Sequence, residues 1–519
     1  MASTFFGLTI AYSGLQAANT SLTITGHNVS NINTKGYTKQ QAGTQAADAL
    51  RTHTTYGAIG SGVVVTEISQ IRDSYYDVKY RNNMANYGQY SVKESYMGQI
   101  EDYLDEFTLN GYSQEYKNFF SAVNQLTITP GDTSAKNQLI NNAKSLADYF
   151  NTLTTNLRNV QADANNEIKD AVQQINSYAK NIAALNRQIN QIEANYGNAN
   201  DLRDKRNAMI DELSEIVNLE TSEEDMGNNV SNFSVRINGQ TLVSSYSYNT
   251  LETVARTDKK NYSDAEGLYD VQWNSGQKFD MYSTSLSGHL KGLIDIRDGN
   301  NGEHENIETD DDGNNVTDSD GNLVLTTAPA ADKTVSYKGV PYYQAQLNEF
   351  AKIFSDAVNK IMKSGYTSDG SNKGISLFVT QPNTTVMSAG NITVNPELLK
   401  NADLLAIKKE QNDGESDAKI MEELNKLQSE KIFAGGTGSY FLESIVSDMS
   451  IDSQKAVNLY KNYTDLKTSI HNQRLSIMGV DTDEEAMDMI KYQQAYNLNS
   501  KMMSVMNQIY DKLINQTGI

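Results

Sequence analysis

At 519 residues, with a formal net charge of −21, the chain is long enough for several folded cores. It is too acidic to offer the basic patches that nucleic acid or an anionic membrane surface requires. The absence of cysteine excludes a disulfide scaffold, a thiolate zinc site and a thiol nucleophile. The five histidines (His27, His53, His289, His304 and His471) have no second histidine three or four positions away, and no apolar run approaches the roughly 20 residues of a membrane-crossing helix.

The first basic residue is Lys35 and the first acidic one is Asp48, so the N-terminus lacks the charged start of a cleaved secretory signal. Leu8, Leu15, Leu22 and Val29 recur every seven residues, with Ala11, Ala18, Thr25 and Ile32 three positions after each. This predicts a helix over about Ser3 to Asn31 with a narrow apolar seam. Its threonines and glycines are poor helix formers, so the helix needs a partner. Gly36 and the asparagines before it should close it.

Residues 60–72 read as extended. Helix returns from about Asp73. A long heptad segment follows from Thr133 to Tyr196, with Leu139, Leu146, Leu153 and Val160, then, after one step of eight, Ile168, Ile175, Ile182 and Ile189. Another helix is predicted over 200–217. Phe233 to Gln240 alternates apolar and polar and contains Asn238-Gly239, a hairpin signal, with strand-like runs continuing to about Asp295. Residues 299–335 carry two similar stretches, Asp310-Asp311-Asp312-Gly313-Asn314 and Asp318-Ser319-Asp320-Gly321-Asn322. These read as solvated β-turns; calcium binding is the other reading, although the EF-hand spacing fails. Helix is predicted again over 343–362 and from about Asp417. The last helix should be capped by Thr482, with Glu485 completing a capping box. Its stripe is Ala495, Leu498, Met502, Val505, Ile509 and Leu513.

The fold class expected is mainly α with a β-rich outer domain, in an elongated multi-domain chain whose N- and C-terminal helices pair. Leu8, Leu15, Leu22, Val29 and Ile32 are expected to bury against Ala495, Leu498, Met502, Val505, Ile509 and Leu513. The near absence of charge on the first helix suggests neighbours on several sides and ordering on assembly. Three domains are expected: 1–60 with 480–519, 61–219 with 341–479, and 220–340 with its insertion 299–335.

Ala17 to Leu22, followed by Asn28-Val29-Ser30-Asn31-Ile32-Asn33-Thr34-Lys35-Gly36-Tyr37-Thr38-Lys39-Gln40, resembles the N-terminal signature of flagellar rod, hook and hook-associated proteins. Asp483-Glu484-Glu485-Ala486 and Tyr492-Gln493-Gln494-Ala495-Tyr496 resemble the matching C-terminal signature. The runs 201–207, 288–298 and 342–350 are similar to the hook-associated proteins of the hook–filament junction. Lys39, where arginine is common, and the insertion 299–335 depart from that pattern.

The resemblance implies a structural, non-enzymatic subunit of the bacterial flagellum. It implies export by the type III route without a cleaved signal, and assembly outside the cell at the distal end of the hook, which it connects to the filament. The terminal helices would line an inner tube. The partners implied are the hook protein, the next junction protein, further copies of itself in a helical assembly and an export chaperone at the C-terminal region, with no nucleic acid, membrane insertion, cofactor or metal. A hook or distal rod protein is the sister alternative. A secreted enzyme or adhesin domain within 220–340 is the alternative from another class, and no nucleophile–base set is visible there.

Overall fold

A computed structural model describes residues 6–51, 58–109, 112–299, 305–318, 321–326, 337–414 and 416–516. The expected helix start at Ser3, the turn residues Ser319 and Asp320, His53, His304 and much of the insertion 299–335 lie outside the described residues. The chain divides into two compact units, Met1–Ala85 with Ile175–Thr250 and Thr464–Ile519, and Asn86–Gln174 with Leu251–Tyr463. The stretch 220–340 is therefore shared between them, its first sheet in one unit and its later strands in the other.

The first unit opens with α1 (Phe6–Ser30). Strand β1 (Gln40–Ala46) and β4 (Val63–Gln70) form an antiparallel ribbon whose register shifts at Gly43/Thr44, with the short pair β2 (Leu50–Arg51) and β3 (Ala58–Ile59) between them. The start of α2 (Ser74–Leu109) and the end of α4 (Thr133–Glu193) also belong to this unit. So do α5 (Asn200–Ile216) and the four-stranded antiparallel sheet β5 (Glu220–Asp225), β6 (Ser231–Ile237), β7 (Gln240–Ser244) and β8 (Ser247–Tyr248). The β6–β7 hairpin turns through Asn238 (φ 49°) and Gly239 (φ 76°), both left-handed, as the Asn-Gly signal predicts.

The second unit holds the rest of α2, α3 (Tyr112–Ile128) and most of α4. Strands β9 (Leu251–Ala255) and β10 (Tyr269–Trp273) pair antiparallel. They are followed by α6 (His289–Asp298) and α7 (Gly339–Ser364). Small strand pairs β11 (Tyr366–Thr367) with β14 (Ala406–Lys408), and β12 (Phe378–Thr380) with β13 (Ile392–Val394), flank α8 (Pro396–Lys400). Helix α9 (Lys419–Lys426) precedes α10 (Gly438–Met478), whose end joins α11 (Thr482–Asn515) in the first unit.

Helix α6 corrects the expectation of strands up to Asp295. Leu290, Leu293, Ile294 and Arg297 fall at i, i+3, i+4 and i+7, a helical period, and all are buried. Helix α4 carries the predicted heptad, and Leu139, Leu146, Leu153, Val160, Ile168, Ile175, Ile182 and Ile189 are all buried. It also buries amides that satisfy the backbone of extended segments. Gln161 donates to Arg297 O and accepts from Ala265 N, and Asn165 accepts from Tyr269 N. In the first unit, Asn190 exchanges bonds with both backbone groups of Ser231. Each amide thus presents the donor–acceptor pair of a neighbouring strand.

The core of the second unit is aromatic. Phe350 stacks on Phe433 at 4.9 Å, and Phe119, Phe120, Phe354 and Phe378 pack around it. The same unit holds a buried charge cluster. Asp298 is held bidentately by Arg297 (3.0 and 2.6 Å) and by Arg256 (3.1 and 2.6 Å), and accepts from Tyr282 OH at 2.8 Å. Burial opposes its ionisation, but the two guanidinium groups more than offset this and hold the carboxyl well below its usual range. Asp298→Asn is expected to destabilise this unit by about 3 kcal/mol, because it leaves the buried Arg297 without its anion and Arg256 with Asp270 alone. Denaturant unfolding followed by fluorescence of the sole tryptophan, Trp273, which is buried in β10, would measure it.

The described part of the insertion closes a small ring. Glu308 N donates to Val324 O, Val324 N to Val316 O, and Val316 N to Glu308 O, at 2.8–3.0 Å, from three residues spaced eight apart. The carboxylates of Asp310 and Asp318 cap the turns between them: Asp310 accepts from the amides of Asp312 and Asn314, and Asp318 from that of Asn322.

Candidate assembly interface

Helix α1 packs antiparallel on α11 within the first unit. The contact is close because two residues of α1 lack side chains. A Cβ on Gly7 would lie 2.8 Å from Met506 Cε, and one on Gly14 would lie 2.7 Å from Asn499 Oδ1. The buried residues of α1 are Ala11, Ala17, Ala18, Ser21, Ile24, Thr25 and Asn28, mostly small and polar. Across from them on α11 run Glu485, Tyr492, Asn499 and Met506, seven residues apart, the first buried and the others half-buried.

The predicted seam residues lie elsewhere. Leu8, Leu15, Leu22 and Val29 are half-buried, and Ile32 is exposed. Ala495 is half-buried. Leu498 (69% exposed), Met502 (44%), Val505 (46%), Ile509 (45%) and Leu513 (53%) face outward. The expected pairing of these two sets is thus not what closes the hairpin in a single chain. Small residues make the contact because close approach of two backbones leaves no room for leucine, and the larger apolar groups are displaced to the flanks.

A polar node locks the base of this hairpin. Asn28 Nδ2 donates to Gln40 O (3.0 Å) and to Glu485 Oε1 (3.1 Å), while its Oδ1 accepts from Gln40 N (3.0 Å) and Tyr37 OH (2.8 Å). Lys39 Nζ lies 2.7 Å from Glu484 Oε2 and 3.1 Å from Glu485 Oε1. Burial lowers the affinity of Lys39 for its proton, but the bonds to Glu484 and Glu485 outweigh this and raise its pKa. Burial, then Asp201, Asp204 and Glu485, keep the Tyr37 phenol protonated well above its usual range. Glu485 therefore serves the node and not a capping box. The helix cap is Asp481, whose carboxylate accepts from the amides of Asp483 and Glu484, and Thr482 is the first helical residue.

The run 201–207 supplies the other side of the node. Asp204 accepts from Thr38 N (3.0 Å) and Thr38 Oγ1 (2.8 Å) and pairs with Arg72 at 3.2 Å. Burial raises its pKa against those bonds. Asp201 accepts from Gln40 Nε2 at 2.8 Å. Arg203 grips Glu193, and the buried Arg206 lies 3.8 Å over the Phe233 ring. Gly36 has φ 81°, and a Cβ there would lie 2.9 Å from the Ala208 side chain, so the loop can lie against α5 only with glycine. Arg474 near the end of α10 bridges Asp77 (2.7 Å) and Asp211 (2.6 Å), and Arg81 joins Asp211 at 2.7 Å. The N-terminal signature, the 201–207 run and the C-terminal signature thus meet through charge-assisted bonds. Sequence reading found all three runs but could not pair Asn28 with Glu485, which lie 457 positions apart.

Glu485→Gln keeps the bond from Asn28 but removes the buried one of the two carboxylates that face Lys39, leaving Glu484. It is expected to cost about 2 kcal/mol. The loss should show as faster amide exchange in α1 and α11 with unchanged exchange in the second unit.

Comparison with known proteins identifies the family. The family model of the flagellar hook-associated protein FlgK helical domain matches residues 97–378, and that of the flagellar basal body rod FlgEFG protein C-terminal region matches 471–516. The chain is 27% identical to flagellar hook-associated protein 1 of Bacillus subtilis, over 100% of this chain and 99% of that one. It is 28% identical to flagellar hook-associated protein 1 of Salmonella typhimurium, over 97% and 98%. The flagellar hook junction protein FlgK from Burkholderia pseudomallei has the same fold, with a TM-score of 0.60 at 15% identity, covering 77% of this chain and 100% of that one. With the helical-domain model spanning more than half its length, the chain belongs to the flagellar hook-associated protein FlgK family.

Proposed function

We propose that this structural subunit of the flagellum is added at the distal end of the hook, as a helical layer that carries the next junction protein and then the filament. In this reading α1 and α11 form the inner wall. The observation that carries it is the outward stripe Leu498, Met502, Val505, Ile509 and Leu513 beside a hairpin closed by small residues. Among the described residues of α1, Ile24 is the one large aliphatic side chain that is buried. A seam of alanines contributes roughly 0.8 kcal/mol per buried methylene-sized group. Ordering the chain costs roughly 1–2 kcal/mol per residue. The hairpin is therefore marginal alone and gains its order from neighbouring copies, whose contact through a non-closing interface generates a helical layer. Packing is the work this chain does, rather than catalysis.

The hook protein below and the next junction protein above are the axial partners in this reading. An export chaperone would cover the same C-terminal stripe before the chain leaves the cell by the type III route without a cleaved signal. Deletion of the gene is expected to leave bare hooks while flagellin is released into the medium; filaments of normal length in the deletion strain would overturn the assignment. In the dilute monomer, α1 and α11 should be only weakly protected and exchange their amides faster than the helices of the second unit. Strong protection of both would refute ordering on assembly.

A further inference from the structure

In the second unit, a cleft of about 660 Å³ opens between α4, the 259–262 loop, the start of the insertion ring and the loop joining β12 to β13. Its size suits a ligand of one or two sugar rings. Among the residues lining it, Arg158 and Lys259 are the charged ones, and both are cationic, in a chain whose formal net charge is −21. Lys259 is neutralised by Glu266 at 2.7 Å. Arg158 has no ion pair among the described residues: its Nε donates to Ser263 O at 3.0 Å, and the two terminal nitrogens are left over. Gly390 lies against this part of α4: a Cβ there would come within 2.9 Å of Thr154 Cγ2 and would only touch Arg158 Nη2, at 3.6 Å. The Tyr262 phenol, the Ser388 hydroxyl and the Asn306 amide line the same cleft and have no side-chain hydrogen bond within the described protein. By contrast, Asn391, which shapes the loop, has its amide satisfied by Ser388 N and Val386 O.

A free guanidinium fork matches a planar carboxylate bidentately. Neutral hydroxyl and amide groups around it match hydroxyls, and a half-exposed tyrosine ring offers a flat apolar face. One uncompensated cation suits a monoanion better than a phosphate dianion. We propose that this cleft binds a sugar acid, a carboxylate carried on a polyhydroxylated ring. The carboxylate sits on Arg158, and Tyr262, Ser388 and Asn306 read the hydroxyls.

The test is titration of the full chain with galacturonate, galactose and acetate, followed by saturation-transfer NMR. Galacturonate is expected to bind at least about tenfold more tightly than either fragment-like control. Arg158→Gln should lose about tenfold of that affinity, and Tyr262→Phe, which removes a hydroxyl with no protein partner, should lose severalfold with an unchanged melting temperature. Absence of saturable galacturonate binding would overturn the proposal. So would galactose or acetate binding as tightly as galacturonate, or unchanged affinity in both Tyr262→Phe and a folded Arg158→Gln.

Discussion

Leu498→Asp is expected to abolish filament growth from the hook while leaving the monomer folded. Leu498 is 69% exposed in the single chain, so the substitution removes little intramolecular contact. Asp is a poorer helix former than Leu by roughly 0.5 kcal/mol, which bounds the cost to α11. The effect on assembly is of another size. Leu498, Met502, Val505, Ile509 and Leu513 are spaced four, three, four and four apart, which places them within one face of α11, each at least 44% exposed. A contiguous stripe of this kind marks a contact surface. Fully burying one such side chain is worth roughly 1.5–3 kcal/mol, and a carboxylate buried there without a partner costs several kcal/mol more. In the proposed helical layer every copy would repeat the fault. The measurement pairs circular dichroism and melting of the purified variant, expected to match the wild type, with electron microscopy of hooks and assay of released flagellin. Normal filaments would count against the stripe as an interface.

The contrast between the stripe and the true seam shows what periodicity can reach. Heptads located α4 and the buried line from Leu139 to Ile189, because a long helix that packs along its length writes its contacts at a fixed spacing; of the companion positions Ala171, Tyr178, Leu185 and Ile192, Ala171 is buried and Ile192 is exposed. The Asn238-Gly239 hairpin was legible for a similar reason, since left-handed backbone at two adjacent positions demands those residues. The same logic chose the wrong residues for the α1–α11 contact. It ranked positions by side-chain size, whereas two backbones brought close by Gly7 and Gly14 select for alanine, serine and asparagine. The helix start was misplaced by one residue because Asp481 and Thr482 are both competent caps, and only backbone geometry distinguishes them. Helix α6 was hidden because Ile294 and Ile296 alternate like a strand, while the Arg297–Asp298–Arg256 cluster that buries its end joins residues some 40 positions apart. The ring at 308, 316 and 324 was half visible: the repeated Asp-Gly turns were plain, but their closure through backbone groups carries no sequence signature.

Glu305→Gln is expected to make the second unit more stable at alkaline pH and to leave it unchanged near pH 4. Glu305 begins the described part of the insertion and is 5% exposed. Its carboxylate accepts from Asn348 Nδ2 at 2.8 Å, its backbone N–H donates to Asn261 Oδ1 at 3.1 Å, and its carbonyl accepts from Tyr262 N at 3.2 Å. No ion pair to Glu305 is present among the described residues. Lys352 and Glu349 on α7 act on it in opposite senses, Glu349 more strongly than Lys352. Burial thus dominates and pushes its pKa up to about 8. In the unfolded chain a glutamate titrates near 4.3. Between those two values the native state holds a proton that the unfolded state has released, so stability is full below about pH 4.3, falls as pH rises, and levels off above about 8. The difference is on the order of 5 kcal/mol, from 1.36 kcal/mol per pKa unit. Glutamine preserves the shape and an oxygen for Asn348 but does not ionise, so this part of the pH dependence should vanish. Denaturant unfolding at pH 5 and pH 9, read from the buried Trp273, supplies the comparison. The difference between variant and wild type isolates Glu305 from every other titrating group, and a difference that does not grow with pH would show that its carboxyl is solvated rather than held neutral by burial.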